Sequence, residues 1–448
     1  MAPLVRFGIG AWVSVMLCSP GGRQNAASFS YIYTQTSSYD REPAVAGGER
    51  FSKGARLRLM ANGTARDLVP GFAASADASA SFDGLRVLFS GKQNPADSWH
   101  VWEVAVAGGA PRQITTVRED TIAPLYLSEG QIVYARRTRT GFQLETVLLS
   151  GGDPTRLTYG PGDHVPTAVL RDGRILFDGP GPQTSRGRDV FAVYADGTGV
   201  ESYRCDHSRD RHSGIEVASG DIVFESAGKL ARFTSARAVQ IDLPPTPGEF
   251  AGRIAEISPG EWLVSYRPDS REPFGLYRWR TDRGVPEQLL RANDFHAVQP
   301  VAVRSREIPK RHPSSVGNRE GANLLCLNAY TSHLRIPSGA VASVRVWALD
   351  DAGAAVALGN APVEEDGSFF VQTPSERAIR FELLDRSGAT VAAEKRWFWA
   401  RRGEQRVCVG CHAGPERAPE NAVPATLLRS NEPAKLLLPP QSKSQETR

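Results

Sequence analysis

Short apolar runs separated by Gly, Asp and Pro turns fill the chain from about residue 29 to residue 308. The runs have the length of strands and show no helical periodicity, so each unit of the pattern predicts about four β-strands. A turn glycine recurs roughly every 40 to 47 residues, at Gly84, Gly130, Gly173, Gly220 and Gly260. A four-stranded unit with this period is typical of a propeller blade.

Counting residues 31–68 as the first unit gives about six blades in this region. The apolar run at residues 297–303 is expected to close the ring by pairing with the N-terminal strands. This region is therefore predicted to be an about six-bladed β-propeller.

The pattern changes after residue 308. Residues 304–321 are basic and contain Pro and Gly at intervals, which marks a domain boundary. Beyond them, alternating apolar runs separated by Asp-Gly and Ser-Gly turns predict a small antiparallel β-sandwich. The predicted last strand, residues 391–399, would place Trp397 and Trp399 on one face and Phe398 on the other.

Residues 408–412 read CVGCH. Two thiols three positions apart, with a histidine directly after the second, are the attachment signal of a c-type haem. The spacing lets both sulfurs reach one edge of the porphyrin while the adjacent imidazole meets the iron. The sequence therefore predicts one covalent haem c per chain, with Cys408 and Cys411 as tethers and His412 as the proximal iron ligand. Core packing is the favoured role of the aromatic residues 397–399. Because they lie close to this motif in the sequence, shelter of the porphyrin by one face of their strand is the alternative.

The same pair of thiols is compatible with half a zinc site, a redox disulfide or two inert cysteines. Zinc takes four ligands, and no second closely spaced Cys or His pair accompanies this one. A thioredoxin-like site would lie beside a βαβ pattern, which is missing here. Cys205 and Cys326 are far apart in the sequence and define no disulfide framework. Haem is the favoured hypothesis and the others stay open.

The second axial ligand has to come from upstream, because no Met, His, Tyr or Cys follows His412. His333 is the candidate distal ligand, with His312 and Tyr330 as further candidates, and an open iron position is the alternative. A histidine in a surface turn explains His333 equally well.

The segment 206–212 holds two histidines with flanking acids that could bind a metal, but its two arginines favour a solvated loop. His100, His164 and His296 fall in blade turns or strands and are interpreted as structural residues.

An apolar run at residues 7–18 follows a short positive start. This length is typical of a signal peptide and too short to span a bilayer. It predicts export to the periplasm, with a leader at residues 1–27. Cys18 follows Leu17 where a lipoprotein signal would have a small residue, so soluble export is favoured over a lipid anchor.

The chain has 448 residues, 41% of them hydrophobic, and a formal net charge of +4. This length predicts two or three domains. Because the charge is spread along the chain and forms no basic stripe, nucleic acid is not an expected partner. No further run reaches the length of a membrane span, so no transmembrane segment is expected in the mature chain.

The repeated turn-and-strand elements, such as residues 151–158 and 172–177, resemble the TolB-like propeller family, whose members commonly bind partner proteins.

Residues 358–369, 382–388 and 402–404, which lead into the CVGCH motif, look like the middle domain of the hydrazine synthase alpha-subunit family. That family places such a domain after a propeller, so the resemblance covers most of the chain. Its alpha subunit has a further haem domain, whereas this chain has one CxxCH motif. The resemblance therefore does not imply complete nitrogen–nitrogen bond formation.

These observations predict an exported haem protein in periplasmic electron transfer or haem-based redox chemistry of small molecules, nitrogen compounds among them. A redox partner protein and a small-molecule ligand are the expected partners, and the sequence leaves open whether the protein is an enzyme. The alternative is a non-enzymatic propeller scaffold for protein binding, with a structural haem or zinc site. The predicted fold class is therefore all-β, with an about six-bladed β-propeller followed by a small β-sandwich that carries a C-terminal haem-binding segment. The predicted segments are a leader (1–27), the propeller (28–308), a linker (309–323), the sandwich with the haem motif (324–420) and a Pro-rich, disordered tail (421–448). Within the tail, the apolar segment at residues 434–438 is a candidate to pack on the sandwich.

Overall fold

A computed structural model describes residues 29–39, 51, 54–181, 187–204, 209–236, 238–332, 334–410 and 421–437. Nearly all regular structure in these residues is β, as the sequence predicts. No helix in the described ranges is long and apolar enough to cross a membrane.

The first region contains twenty-five strands in chain order, with short 3-10 turns at Ser128–Gly130 and Thr281–Arg283. The strands are β1 (Ser30–Thr36), β2 (Arg56–Ala61), β3 (Thr64–Asp67), β4 (Ala74–Ala80), β5 (Arg86–Lys92), β6 (His100–Ala105), β7 (Arg112–Gln113), β8 (Thr121–Tyr126), β9 (Gln131–Thr138), β10 (Gly141–Leu148), β11 (Thr155–Arg156), β12 (Val165–Val169), β13 (Ile175–Pro180), β14 (Arg188–Val193), β15 (Glu201–Ser202), β16 (His212–Glu216), β17 (Ile222–Ser226), β18 (Lys229–Phe233), β19 (Ile241–Asp242), β20 (Glu249–Phe250), β21 (Ala255–Ser258), β22 (Glu261–Arg267), β23 (Gly275–Arg280), β24 (Glu287–Leu290) and β25 (His296–Val303).

These strands form a β-propeller, and the described residues supply six of its sheets. Five sheets follow one another in sequence as β4–β7, β8–β11, β12–β15, β16–β19 and β20–β24. The remaining sheet has the order β25-β1-β2-β3, so the last propeller strand pairs antiparallel with the first. This pairing is the contact between residues 297–303 and the N-terminal strands that the sequence predicts.

In each propeller sheet the second strand is a continuous apolar run, because apolar side chains are buried on both of its faces. In β13, Ile175 and Phe177 pack toward the preceding sheet and Leu176 toward the following one. Because neighbouring sheets cover both faces, the strand lacks the apolar and polar alternation of a half-exposed one. A further cluster that includes Tyr33 and Leu263 joins the last sheet to the first.

A polar side chain at the end of the second strand faces the central channel and holds the next sheet in place. Both carboxylate oxygens of Asp178 accept hydrogen bonds from the backbone N–H of Ser213, at 2.9 and 3.1 Å. Ser213 has a φ of 60° and lies at a bulge in the innermost strand of the following sheet. Glu225 accepts in the same way from Gly252, at 2.7 Å. These side chains satisfy backbone amides that have no partner in the strand ladder, at a bulge for Ser213 and between β20 and β21 for Gly252.

The second domain has eight strands in two sheets of four, and one short helix, α1 (Ala425–Arg429). One sheet has the order β32-β26-β29-β33 and the other β28-β27-β30-β31, and both contribute to a common apolar core. The strands are β26 (Ala322–Cys326), β27 (Ser343–Leu349), β28 (Ala355–Pro362), β29 (Phe369–Thr373), β30 (Ile379–Leu384), β31 (Thr390–Ala393), β32 (Gln405–Cys408) and β33 (Ala434–Lys435).

Three expectations about this domain need correction. The β26 sheet is mixed, since β32 pairs parallel with β26 and β33 parallel with β29. The last predicted strand ends at Ala393, and Phe398 makes only an isolated bridge to Ile379. The predicted disordered tail contains α1 and β33, while its apolar segment packs on the second domain, as the sequence suggests, with Leu436 buried against the core. The physical reason is that Leu436 fills an apolar site while β33 satisfies the open edge of β29.

The buried carboxyl group of Asp178 should make stability depend on pH. Burial raises the pKa of Asp178 from its usual 3.8 to about 6. Between these values the folded chain keeps a proton that the unfolded chain releases, so stability falls as pH rises through this window, by up to about 3 kcal/mol. Asp178→Asn keeps an oxygen acceptor and cannot ionise. We expect it to match the wild type in urea unfolding at pH 4 and to exceed it at pH 7.

The exposed Asp153→Asn provides the matched control and should follow the wild-type profile at every pH. Identical pH profiles for Asp178→Asn and the wild type would contradict this assignment.

Candidate functional site at the junction of the two domains

The strand that leads into the CVGCH motif lies at one edge of the β26 sheet. Residues of β32 pair parallel with those of β26, and Cys408 lies opposite Cys326 in this register. Both residues therefore sit on the same face of the sheet. Cys326 is buried, with 3% of its surface exposed, and Cys408 is half-buried. Burial raises the pKa of the Cys408 thiol, which keeps it protonated at neutral pH.

Glu404 fixes the start of β32. Its carboxylate accepts a hydrogen bond from the backbone N–H of Arg401 at 2.7 Å and from the side chain of Arg406 at 2.7 Å. It also accepts from the backbone N–H of Gly199 in the propeller, at 3.1 Å. Glu404 is 5% exposed, so these charge-assisted bonds are shielded from water. The motif strand is thus tied to the propeller as well as to its own domain.

Trp399 inserts into the propeller. It is 3% exposed and packs in a cluster with Leu144 and Leu157, and its indole N–H donates to the carbonyl of Leu157 at 3.1 Å. A Cβ at Gly160 would lie 2.9 Å from the indole ring, so only a glycine leaves room for it. Trp399 is therefore a docking residue between the domains.

Charged groups surround this apolar contact. Arg401 donates to the carbonyl of Arg156 at 2.6 Å and to the hydroxyl of Tyr159. Arg396 lies 3.3 Å from the carboxylate of Asp189, which is 1% exposed and also lies 3.7 Å from the guanidinium of Arg211. Losing one member of a buried ion pair leaves an uncompensated charge and costs about 3 to 5 kcal/mol. The junction is therefore held in one arrangement by polar as well as apolar contacts.

A cavity of about 600 Å³ opens between the two domains beside Cys408. This volume lies within the range of about 300 to 1,000 Å³ that is typical of small-molecule and cofactor sites. The cavity has an aromatic wall and a charged part. The wall consists of Phe191, Phe369, Phe381, Trp397, Phe398 and Trp399, and the charged residues are Glu201, Glu394, Lys395, Arg396 and Arg406.

His164 brings an imidazole from the propeller to this cavity. The residue directly precedes β12 and is 3% exposed. Its ring packs edge-to-face on Trp399 at 5.4 Å and on Phe177 at 5.6 Å. Its Nδ1 atom is buried and has no hydrogen-bond partner within the described residues. Burial lowers the pKa of His164 to about 3, so the ring is neutral over the physiological range.

The described part of the motif packs closely on the loop that follows β26. A Cβ at Gly410 would lie 2.1 Å from the carbonyl oxygen of Thr331 and 2.8 Å from that of Asn328. A glycine between the two motif cysteines is therefore required by space.

The predicted site residues divide into those the structure places and those outside the described ranges. Cys408 lines the cavity, while Cys411, His412 and His333 lie outside the described residues. The further candidates for the distal ligand do not line this cavity. His312 stacks on Tyr194 at 3.8 Å and lines a different cavity, and Tyr330 packs against the core of the second domain.

The part of the segment 206–212 that is described differs from a solvated loop. Arg211 is fully buried, and His212 is 4% exposed and lies 3.5 Å from Glu225. Within the described ranges no group of three or more His, Cys, Asp or Glu side chains is arranged to hold a metal ion.

The fold and site define a class of protein, a β-propeller with a second β-domain docked on it through a cofactor-sized cavity. Residues 343–413 match the family model described as "Hydrazine synthase alpha subunit middle domain". A comparison with curated protein sequences finds no match.

Among solved structures, "Kuenenia stuttgartiensis Hydrazine Synthase" aligns over 90% of this chain and 72% of that chain, with 16% identity and a TM-score of 0.78. The TolB structure from Acinetobacter baumannii aligns over 61% of this chain and 66% of its own, with 13% identity and a TM-score of 0.48. The predicted resemblance to the hydrazine synthase alpha middle domain is confirmed, and the fold of a propeller followed by a second β-domain is shared with the aligned hydrazine synthase structure.

The sequence predicts neither a role of His164 beyond a structural one nor the docking of Trp399 into the propeller. A histidine before a blade strand is common, and the repeat contains no information on where the second domain docks. The aromatic residues 397–399 line the cavity, as the alternative interpretation of that run expects, but the chain is irregular where a regular strand is predicted. Gly160 lies opposite the indole, and the need for a small residue at this position is evident only from the contact.

Substitution of Trp399 should loosen the junction more than substitution of its neighbour. We expect Trp399→Ala to lower the free energy of unfolding by about 3 to 5 kcal/mol, because it empties a buried indole site. Trp397→Ala is the matched control, since Trp397 is half-buried and packs under the guanidinium of Arg380 at 4.9 Å. Urea unfolding and the rate of proteolysis in the segment 304–321 measure the difference. Equal losses for the two variants would contradict a docking role.

Proposed function

We propose that this chain is an exported haem protein that works in redox chemistry of nitrogen compounds or in electron transfer in the periplasm. The observation that carries the proposal is the position of Cys408, the first residue of the CVGCH motif, in the wall of the cavity between the domains. In this proposal Cys408 and Cys411 tether one haem and His412 binds its iron.

The residues around the cavity fit such a group. Aromatic side chains form a wall suited to a flat apolar macrocycle, and Lys395, Arg396 and Arg406 provide cations for the carboxylates at its edge. The unpartnered Nδ1 of His164 is a buried atom that a ligand could satisfy. When bound, haem would supply one-electron transfer or binding of a small molecule at iron.

The chain's own residues would orient the group. The ladder between β32 and β26 and the bonds of Glu404 fix the position of β32 and its Cys408. Trp399 forms part of the cavity wall and packs against the propeller, so it sets the distance between the two sides of the cavity.

The class of substrate rests on the comparisons. The family model matched by residues 343–413 and the aligned structure both carry the name hydrazine synthase, which points to nitrogen compounds. Export rests on the apolar run at residues 7–18 and on the need of c-type haem for attachment outside the cytoplasm. A redox partner protein completes the proposal for electron transfer.

A second candidate is a propeller scaffold with a structural zinc or haem site. The register of Cys408 opposite Cys326 favours it, because two sulfurs on one sheet face are a starting point for zinc ligation.

Expression of the full chain with haem-attachment machinery tests the two candidates. We expect the purified protein to gain the mass of one haem and to retain it under denaturing conditions. Cys408→Ser should remove or sharply reduce the covalent haem, because one tether is lost. Cys326→Ser is the matched control and should keep the wild-type haem content.

One equivalent of zinc and no covalent haem in the wild type would overturn the haem proposal. Loss of that zinc in both cysteine variants would then support the scaffold.

A further inference from the structure

The propeller contributes the imidazole of His164 to the cavity beside Cys408. Burying an imidazole nitrogen without a partner costs about 1 to 3 kcal/mol, so its persistence needs a reason. His100 and His312 also have unpartnered Nδ1 atoms, but neither lines the cavity beside Cys408. His164 combines burial, an open nitrogen and this position.

The surroundings of His164 hold the ring in place. Trp399 and Phe177 pack on it edge-to-face. Cβ atoms at Gly160 and Gly179 would each lie 3.4 Å from its ring carbons, so glycine backbone closes in on it from two sides. An imidazole that its surroundings hold in one orientation is preorganised to bind a metal.

We propose that His164 is the second axial ligand of the haem iron, supplied by the propeller to a haem that the second domain tethers. This inference rests on the proposed function, since it requires the haem at Cys408. It replaces His333 as the distal candidate with a residue that the described structure places in the cavity.

Two consequences follow from ligation by His164. Two imidazole ligands give a low-spin iron suited to electron transfer rather than to binding a substrate at an open position. The bond to iron would also join the two domains, because one ligand comes from each. The propeller would then complete the haem site instead of serving only as a scaffold.

The test compares the full-length haem protein with three variants by absorption and electron paramagnetic resonance spectra. We expect a low-spin wild type that does not bind carbon monoxide. His164→Ala should keep the covalent haem but become high-spin and bind carbon monoxide, and added imidazole should restore the low-spin spectrum. His100→Ala, which changes a propeller histidine away from the cavity, should match the wild type.

His164→Met guards against a merely structural effect. Methionine also binds iron and raises the reduction potential, so this variant should stay low-spin at a higher potential. A high-spin wild type, or a low-spin spectrum unchanged in His164→Ala, would overturn the inference while leaving covalent haem intact. Absence of covalent haem from every variant and the wild type would instead overturn the proposed function.

Discussion

The contact between Trp399 and the propeller is the constraint on which the candidate site depends. It anchors the segment that leads into β32, and Glu404 binds the same segment to the propeller by accepting a hydrogen bond from the backbone of Gly199. The location of Cys408 is therefore determined by two domains together. A second domain that folded correctly but docked elsewhere would have the same motif and no cavity beside it.

The junction combines apolar and ionic contacts that complement each other. The indole of Trp399 provides area removed from water, which is non-directional. The ion pairs around Asp189 and the donors of Arg401 require particular geometries. Apolar burial supplies affinity and the buried charges restrict orientation, because a small rotation would leave them unpaired.

Much of the fold could be predicted from the sequence because each propeller sheet is built from strands and turns that follow one another along the chain. The apolar run of β13 is buried on both faces, so its composition alone indicates an inner strand. The second domain was less predictable. Strand β32 is short and contains Gln405 and Arg406, so its sequence has no apolar pattern that would predict its parallel pairing with β26. The sequence assigns His164 only a structural role, since its place beside Trp399 and Cys408, which lie more than two hundred positions away, exists only in the folded chain.

The pairing of β1 with β25 has a consequence for how the chain folds. Thr34 and Gln299, which hydrogen bond across this pair, are 265 positions apart in the sequence. Contacts of such separation form late, because closing a long loop costs entropy before any contact repays it. Until β25 is available, β1 presents an unpaired edge that another chain could join. The propeller is therefore prone to associate with other chains until β25 has paired with β1.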